Sequence, residues 1–217
     1  MEEEPSSLST VRSAYDVVAD LYAETFRGAL DAQPLDRAML AVFAELVRSS
    51  GGGPVADVGC GPARLTGHLA SLGLDVFGTD LSPEMIRLAR EAYPDLRFDV
   101  GSMTDLKAAD GALGGVLAWY SVIHTPPERL PEIFAEFRRV LAPGGHLLLG
   151  FQATDDPKCL TEAFDHKVTL AYKLSVDGVA DLLRAEGFDV RAKLAREPED
   201  GVRFTQAALL ARRPGPK

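Results

Sequence analysis

Cysteine is scarce in this 217-residue sequence: Cys60 and Cys159 are the two present, far apart and without metal-ligand spacing. That argues against a disulfide framework and makes a reducing cytoplasm the expected setting. No apolar run approaches the ~18 residues needed to span a bilayer, and the start, Met1-Glu2-Glu3-Glu4-Pro5, is acidic where a secretory signal is basic and then apolar. No membrane association is therefore expected. Basic runs are missing as well. Asp and Glu outnumber Lys and Arg by 32 to 23, a formal net charge of −9, and an acidic surface repels phosphate backbones, so nucleic acid is not an expected partner. There is no internal repeat, and the length suits one α/β domain over residues 1–217 and is too short for two.

What is present is a strand and helix alternation. Residues 9–26 carry Val11, Ala14, Tyr15, Val18 and Tyr22 on one helical face, and a second helix is expected over 35–48, ended by Ser49-Ser50-Gly51-Gly52-Gly53-Pro54. Strands are then expected at 55–58, 75–79, 97–100, 115–119 and 146–151. The helices between them fall at 64–72, 83–92 and 127–141. Ser82-Pro83-Glu84 supplies an N-cap, a first-turn proline and a first-turn acid in succession. This alternation implies a mainly parallel, Rossmann-like sheet with helices on both faces, whose strand-to-helix loops gather on one edge where ligands bind. Residues 1–50 form an N-terminal helical cap on this reading, 54–152 the core and 153–172, which lack a clean period, a lid. Residues 173–212 supply a helix at 176–186 and a hairpin of strands 188–194 and 203–211, joined by Glu197-Pro198-Glu199-Asp200-Gly201.

Asp57-Val58-Gly59-Cys60-Gly61 closes the first strand and opens a helix. Glycines at 59 and 61 permit a tight turn and close approach of a ligand. Asp80 ends the next strand, 19 positions beyond Gly61, near the ~20-residue spacing at which an acid accepts ribose hydroxyls. Together they point to an adenosine-containing cofactor. A dinucleotide fold calls for a third glycine where Arg64 stands, and Asp57 would repel a pyrophosphate but suits a cation, such as the amino group of a methionine moiety.

Asp57-x-Gly59-x-Gly61 with Asp80-Leu81-Ser82 resembles the first two motifs of class I S-adenosylmethionine (SAM)-dependent methyltransferases. Arg139-Val140-Leu141-Ala142-Pro143-Gly144-Gly145 resembles that family's turn before the fifth strand, and Tyr15-Asp16-x-x-Ala19-x-x-Tyr22 resembles the helix that covers the cofactor in its small-molecule members. The resemblance runs from about residue 11 to 211. It implies a seven-stranded sheet with the last strand antiparallel beside the fifth, SAM as cofactor, no required metal and a small-molecule acceptor. The family's third loop glycine is Ala63 here. Its acid after the third strand is replaced by Gly101-Ser102-Met103, where Ser102 is expected to hydrogen-bond the adenine and Met103 to pack on it; the role of Asp99 stays open.

The cofactor residues implied are thus Tyr15, Tyr22, Asp57, Gly59, Gly61, Asp80, Leu81, Ser102, Met103 and Trp119. His124, in the loop after the fourth strand, is the expected general base for an acceptor hydroxyl, because imidazole titrates near neutrality. The alternative is a histidine that caps the helix beginning near Pro127. Tyr15 and Tyr22 read equally as helix-face packing. Asp155, Asp156, Asp165 and His166 raise a divalent metal, but their spacing fits a solvated loop better. Two competing functions stand beside methyl transfer. A nicotinamide-dependent oxidoreductase is disfavoured by Asp57, Arg64 and the lack of Tyr-x-x-x-Lys; a non-catalytic SAM-binding module is the other.

Overall fold

The computed structural model describes residues 6–154, 156, 159–198 and 202–215. Two helices, α1 (Ser6–Thr25) and α2 (Pro34–Ser49), precede an alternating core: β1 (Val55–Val58), α3 (Arg64–Ser71), β2 (Val76–Asp80), α4 (Pro83–Ala92), β3 (Arg97–Val100), β4 (Leu113–Trp119), α5 (Leu130–Val140) and β5 (Leu141–Gln152). Then follow β6 (Thr161–Asp165), β7 (Leu170–Leu174), α6 (Val176–Ala185), β8 (Asp189–Arg196) and β9 (Gln206–Arg212). The main sheet has seven strands in the order β3-β2-β1-β4-β5-β9-β8. Strands β3 to β5 pair in parallel, and β9 runs antiparallel between β5 and β8.

Both sheet faces are covered, so the central strands read as continuous apolar runs. On one face Leu147, Leu149 and Phe151 of β5 pack with Ile133, Phe134 and Phe137 of α5 and with Leu183 of α6. On the other, Leu117 and Leu148 meet Leu40 and Phe43 of α2 and Leu69 of α3. Helix α4 starts as the sequence dictates: the Ser82 hydroxyl accepts from the Met85 N–H at 3.1 Å, and Pro83 occupies the first turn. Among the described residues no helix is long and apolar enough to cross a membrane.

Three local expectations change. Within the expected lid, 153–172, much of the described part is regular: β6 and β7 pair as an antiparallel hairpin from Thr161↔Leu174 to Asp165↔Leu170, attached through an Ala153–Leu174 bridge at the end of β5. The hairpin turn is local chemistry, with Lys167 left-handed (φ 71°) and its N–H donating to Asp165 Oδ1 at 2.8 Å. Strand β5 begins five residues before the expected position, because Leu141 already pairs with Leu113 ahead of the Pro143-Gly144-Gly145 turn. The helix expected from 127 opens with a 3-10 turn, Pro127–Arg129. Of the turn residues between β8 and β9, Glu199, Asp200 and Gly201 lie outside the described residues, as do Met1–Pro5 and Asp155.

Candidate functional site

The cleft opens at the carboxyl ends of β1, β2 and β4, roofed by α1. It has two lobes of about 650 Å³ and 1370 Å³, counting their open mouths, which share Tyr22, Gly59, Gly61, Trp119 and Tyr120. Asp80 is the hinge of its floor. Its Oδ2 accepts the Gly61 N–H at 2.8 Å and its Oδ1 accepts the Ser82 N–H at 2.9 Å. A carboxylate offers about four lone-pair sites, so two further donors can be accepted from the cleft. Burial raises the Asp80 pKa, while the N–H bonds from Ser82 and Gly61 oppose that rise.

Gly59 and Gly61 are both left-handed, at φ 73° and 53°. A Cβ on Gly59 would lie 2.3 Å from Ser121 Cβ, so this glycine is required by the loop after β4, where the motif alone suggested the ligand. A Cβ on Gly61 would meet only Met85 Sδ at 4.0 Å, and there the backbone conformation is the requirement. Ala63 takes the same conformation at φ 66°, doing what the family's third glycine does at some steric cost. Asp57 is 2% exposed; its Oδ2 accepts the Thr66 hydroxyl at 2.6 Å, and burial pushes its pKa up to about 7. Such an acid gains most from an added cation. Arg64 faces the same lobe as Asp57, and its buried Nη1 has no protein partner.

Helix α1 is docked by Asp16, which accepts from the Ser82 hydroxyl and from the Glu84 N–H at the start of α4. Arg12 Nε donates to the Leu81 carbonyl at 3.2 Å. These contacts place Tyr15 and Tyr22 over the cleft, ring edge to face at 5.9 Å, and burial raises both hydroxyl pKa values. Leu81, Met103 and Trp119 line the first lobe. Ser102 does not. Its hydroxyl bonds the Thr104 hydroxyl at 2.8 Å and accepts the Thr104 N–H at 3.2 Å, so this side chain is spent on its own turn while Gly101 and Met103 meet the cleft. Asp99 pairs with Arg97 at 3.6 Å, away from the lining.

His124 sits in a 3-10 turn, Val122–His124, and joins three elements. Its Nδ1 lies 2.9 Å from the Leu170 carbonyl, which can only accept, so Nδ1 carries the proton and Nε2 accepts the Tyr15 hydroxyl at 2.7 Å. Burial lowers its pKa to about 4. It does not cap the following helix through its side chain. His166 stacks edge-on against His124 at 5.2 Å, and Asp165 closes the hairpin turn, so these two do not converge as metal ligands. Among the described residues no group of three or more His, Cys, Asp or Glu side chains is arranged to hold a metal.

Tyr120, which with Trp119 is a candidate from sequence to wall the cofactor, turns out to form a strained aromatic corner. Tyr120 has φ 55°, its N–H donates to the Gly150 carbonyl at 2.7 Å, and its ring meets Trp119 edge-on at 5.8 Å. Burial and the nearby Asp36 raise its hydroxyl pKa to about 12, against a hydrogen bond from Arg196. Arg196 in turn pairs with buried Asp36 at 3.1 Å. A bulky residue at positive φ beside a ligand cleft was the available signal, but only the fold reveals it.

Residues 55–145 match the methyltransferase domain family. A demethylmenaquinone methyltransferase of Chlorobaculum parvum is 34% identical over 144 residues, covering 64% of this chain and 58% of that protein. Over this segment the chain is similar to methyltransferases. It spans little more than half the length of that curated relative. Among solved structures, the 1,6-didemethyltoxoflavin-N1-methyltransferase of Burkholderia thailandensis, with bound 1,6-didemethyltoxoflavin and S-adenosylhomocysteine (SAH), matches this chain with a TM-score of 0.69. It is 21% identical, and the match covers 99% of this chain and 92% of that one. The cyclase SpnF matches with a TM-score of 0.75, 17% identity and 98% of both chains covered. At these identities the likeness is one of fold alone.

Proposed function

We propose that this chain transfers a methyl group from SAM to a small-molecule acceptor, with oxygen as the preferred acceptor atom. The observation that carries the reading is the pairing of two buried acids across one glycine-lined cleft: Asp80 with free lone pairs for a ribose diol, and Asp57 poised for an ammonium. The same pairing disfavours a nicotinamide dinucleotide, whose pyrophosphate Asp57 would repel. SAM supplies an electrophilic methyl; an acceptor lone pair takes it, the carbon–sulfur bond breaks to leave SAH, and the acceptor proton is released.

The chain's own residues supply position and enclosure, which can contribute ~7–11 kcal/mol to such a displacement. Tyr15 and Tyr22 cover the cleft from α1, Met103 and Leu81 flank the adenine side, and Trp119 with Tyr120 forms the wall facing the acceptor. The β6–β7 hairpin serves as the lid, tied down by the bond from His124 Nδ1–H to Leu170. His124 is neutral at physiological pH. With Nε2 accepting from Tyr15 it positions that tyrosine, and it takes an acceptor proton only when Tyr15 gives up the bond. The two free cysteines suit a reducing, cytoplasmic setting.

A curated ubiquinone biosynthesis O-methyltransferase of Xanthomonas oryzae, 35% identical over 103 residues, supports oxygen as the acceptor atom. The test is incubation of a small-molecule extract with the protein and methyl-labelled SAM, followed by mass spectrometry. Label in a metabolite, with equimolar SAH, is the expected result. SAH-binding protein that labels nothing would favour the non-catalytic reading.

A further inference from the structure

We propose that Arg64 binds the α-carboxylate of the methionine moiety of SAM, facing Asp57, which takes the ammonium of the same group. The inference rests on the SAM reading above and assigns a residue that reading leaves unused. Arg64 opens α3 directly after the glycine loop and lines the larger lobe together with Asp57, Gly61 and Tyr22. Its Nη1 is buried without a hydrogen-bond partner among the described residues. A guanidinium has five N–H donors in a rigid fork and cannot lose its charge, so a buried unpaired N–H of this kind is costly unless an anion completes it.

The shape of that anion follows from the neighbours. The Arg64 charge reaches Asp57, Tyr22 and Tyr120, the groups that ring the lobe. One fixed cation and one buried acid on the same lobe match a zwitterion, with carboxylate and ammonium one carbon apart, better than a phosphate, which Asp57 would repel. A planar carboxylate also fits the two-pronged geometry of guanidinium. Arg64 thereby selects cofactor forms that keep the amino-acid carboxylate.

The test is calorimetric titration of wild type, Arg64→Leu and Arg64→Lys with three probes: SAH, decarboxylated SAM (no carboxylate) and 5′-methylthioadenosine (no amino-acid group). Arg64→Leu is expected to bind SAH roughly 30-fold more weakly, the loss of a charge-assisted pair. Its affinity for the other two probes should stay within about twofold of wild type, and Arg64→Lys should recover part of the SAH affinity. Unchanged SAH affinity in Arg64→Leu overturns the assignment. So does an equal loss for all three probes, which would make Arg64 a structural residue; Arg64→Gln, which keeps most of the stem, repeats the test should the leucine variant not fold. Wild type that binds no SAH removes the SAM reading itself and the Arg64 assignment with it.

Discussion

Replacing Asp80 with alanine removes four interactions at once. Two are internal, the bonds that hold the Gly61 and Ser82 N–H groups at 2.8 and 2.9 Å. Two are the bonds its remaining lone pairs offer to a ribose diol. Hydrogen bonds to a charged group contribute ~1.5–3 kcal/mol each, so the diol alone accounts for about 3 kcal/mol at the lower end, or a ~100-fold loss of affinity. Loosening of the glycine loop adds to this. Asp80→Asn keeps the size but turns one acceptor into a donor against a backbone N–H, and its loss should be intermediate. Calorimetry with SAH measures the effect, with a melting curve to establish that each variant is folded. A second ligand, 2′-deoxy-SAH, isolates the diol: wild type should prefer SAH, and Asp80→Ala should lose that preference. Folded Asp80→Ala with wild-type SAH affinity would refute the reasoning.

Three further perturbations test the rest of the cleft. Gly59→Ala should melt well below wild type, since the left-handed backbone costs ~1–2 kcal/mol and the new Cβ would sit 2.3 Å from Ser121 Cβ; an unchanged melting temperature would show that the loop after β4 yields freely. Asp57 sits near pKa 7 against an ordinary 3.8, so the ligand-free protein should lose stability as pH rises from about 4 to 7, while SAH affinity should fall by up to tenfold per unit below pH 7; Asp57→Asn should lack both slopes, as titrations across that range would reveal. His124, lowered from 6.5 to about 4, has the opposite sign, with stability falling as pH drops from about 6.5 to 4. In turnover with SAM, His124→Ala and Tyr15→Phe should each lower kcat, and the double variant should be no worse than the worse single; additive losses would mean the two act separately.

The glycine loop and the two buried acids of the cleft are legible in the sequence because their chemistry is local. Asp57, Gly59, Gly61 and Asp80 each end a strand or turn a loop, and their spacing along the chain is the spacing of one βαβ unit. Residues whose roles depend on distant partners were not. Asp36 and Arg196 meet across 160 positions, and His124 is oriented by Tyr15, 109 positions away, and by a carbonyl on the hairpin. The bond of the Ser102 hydroxyl to the neighbouring Thr104 hydroxyl is likewise visible only in the fold. Strand β6 was invisible for a different reason: Thr161–Asp165 is exposed or half-exposed throughout, so it carries no alternation to read. In the sequence Arg64 stands out only as the residue at the position where a dinucleotide fold has glycine.

The central claim, that this cleft is a SAM site, is tested most directly by titrating the wild-type protein with SAH, NAD and NADP under one set of conditions. Saturable binding of SAH at one site per chain, with no measurable heat from either dinucleotide, is the expected result. Binding of NAD or NADP in preference to SAH would contradict it.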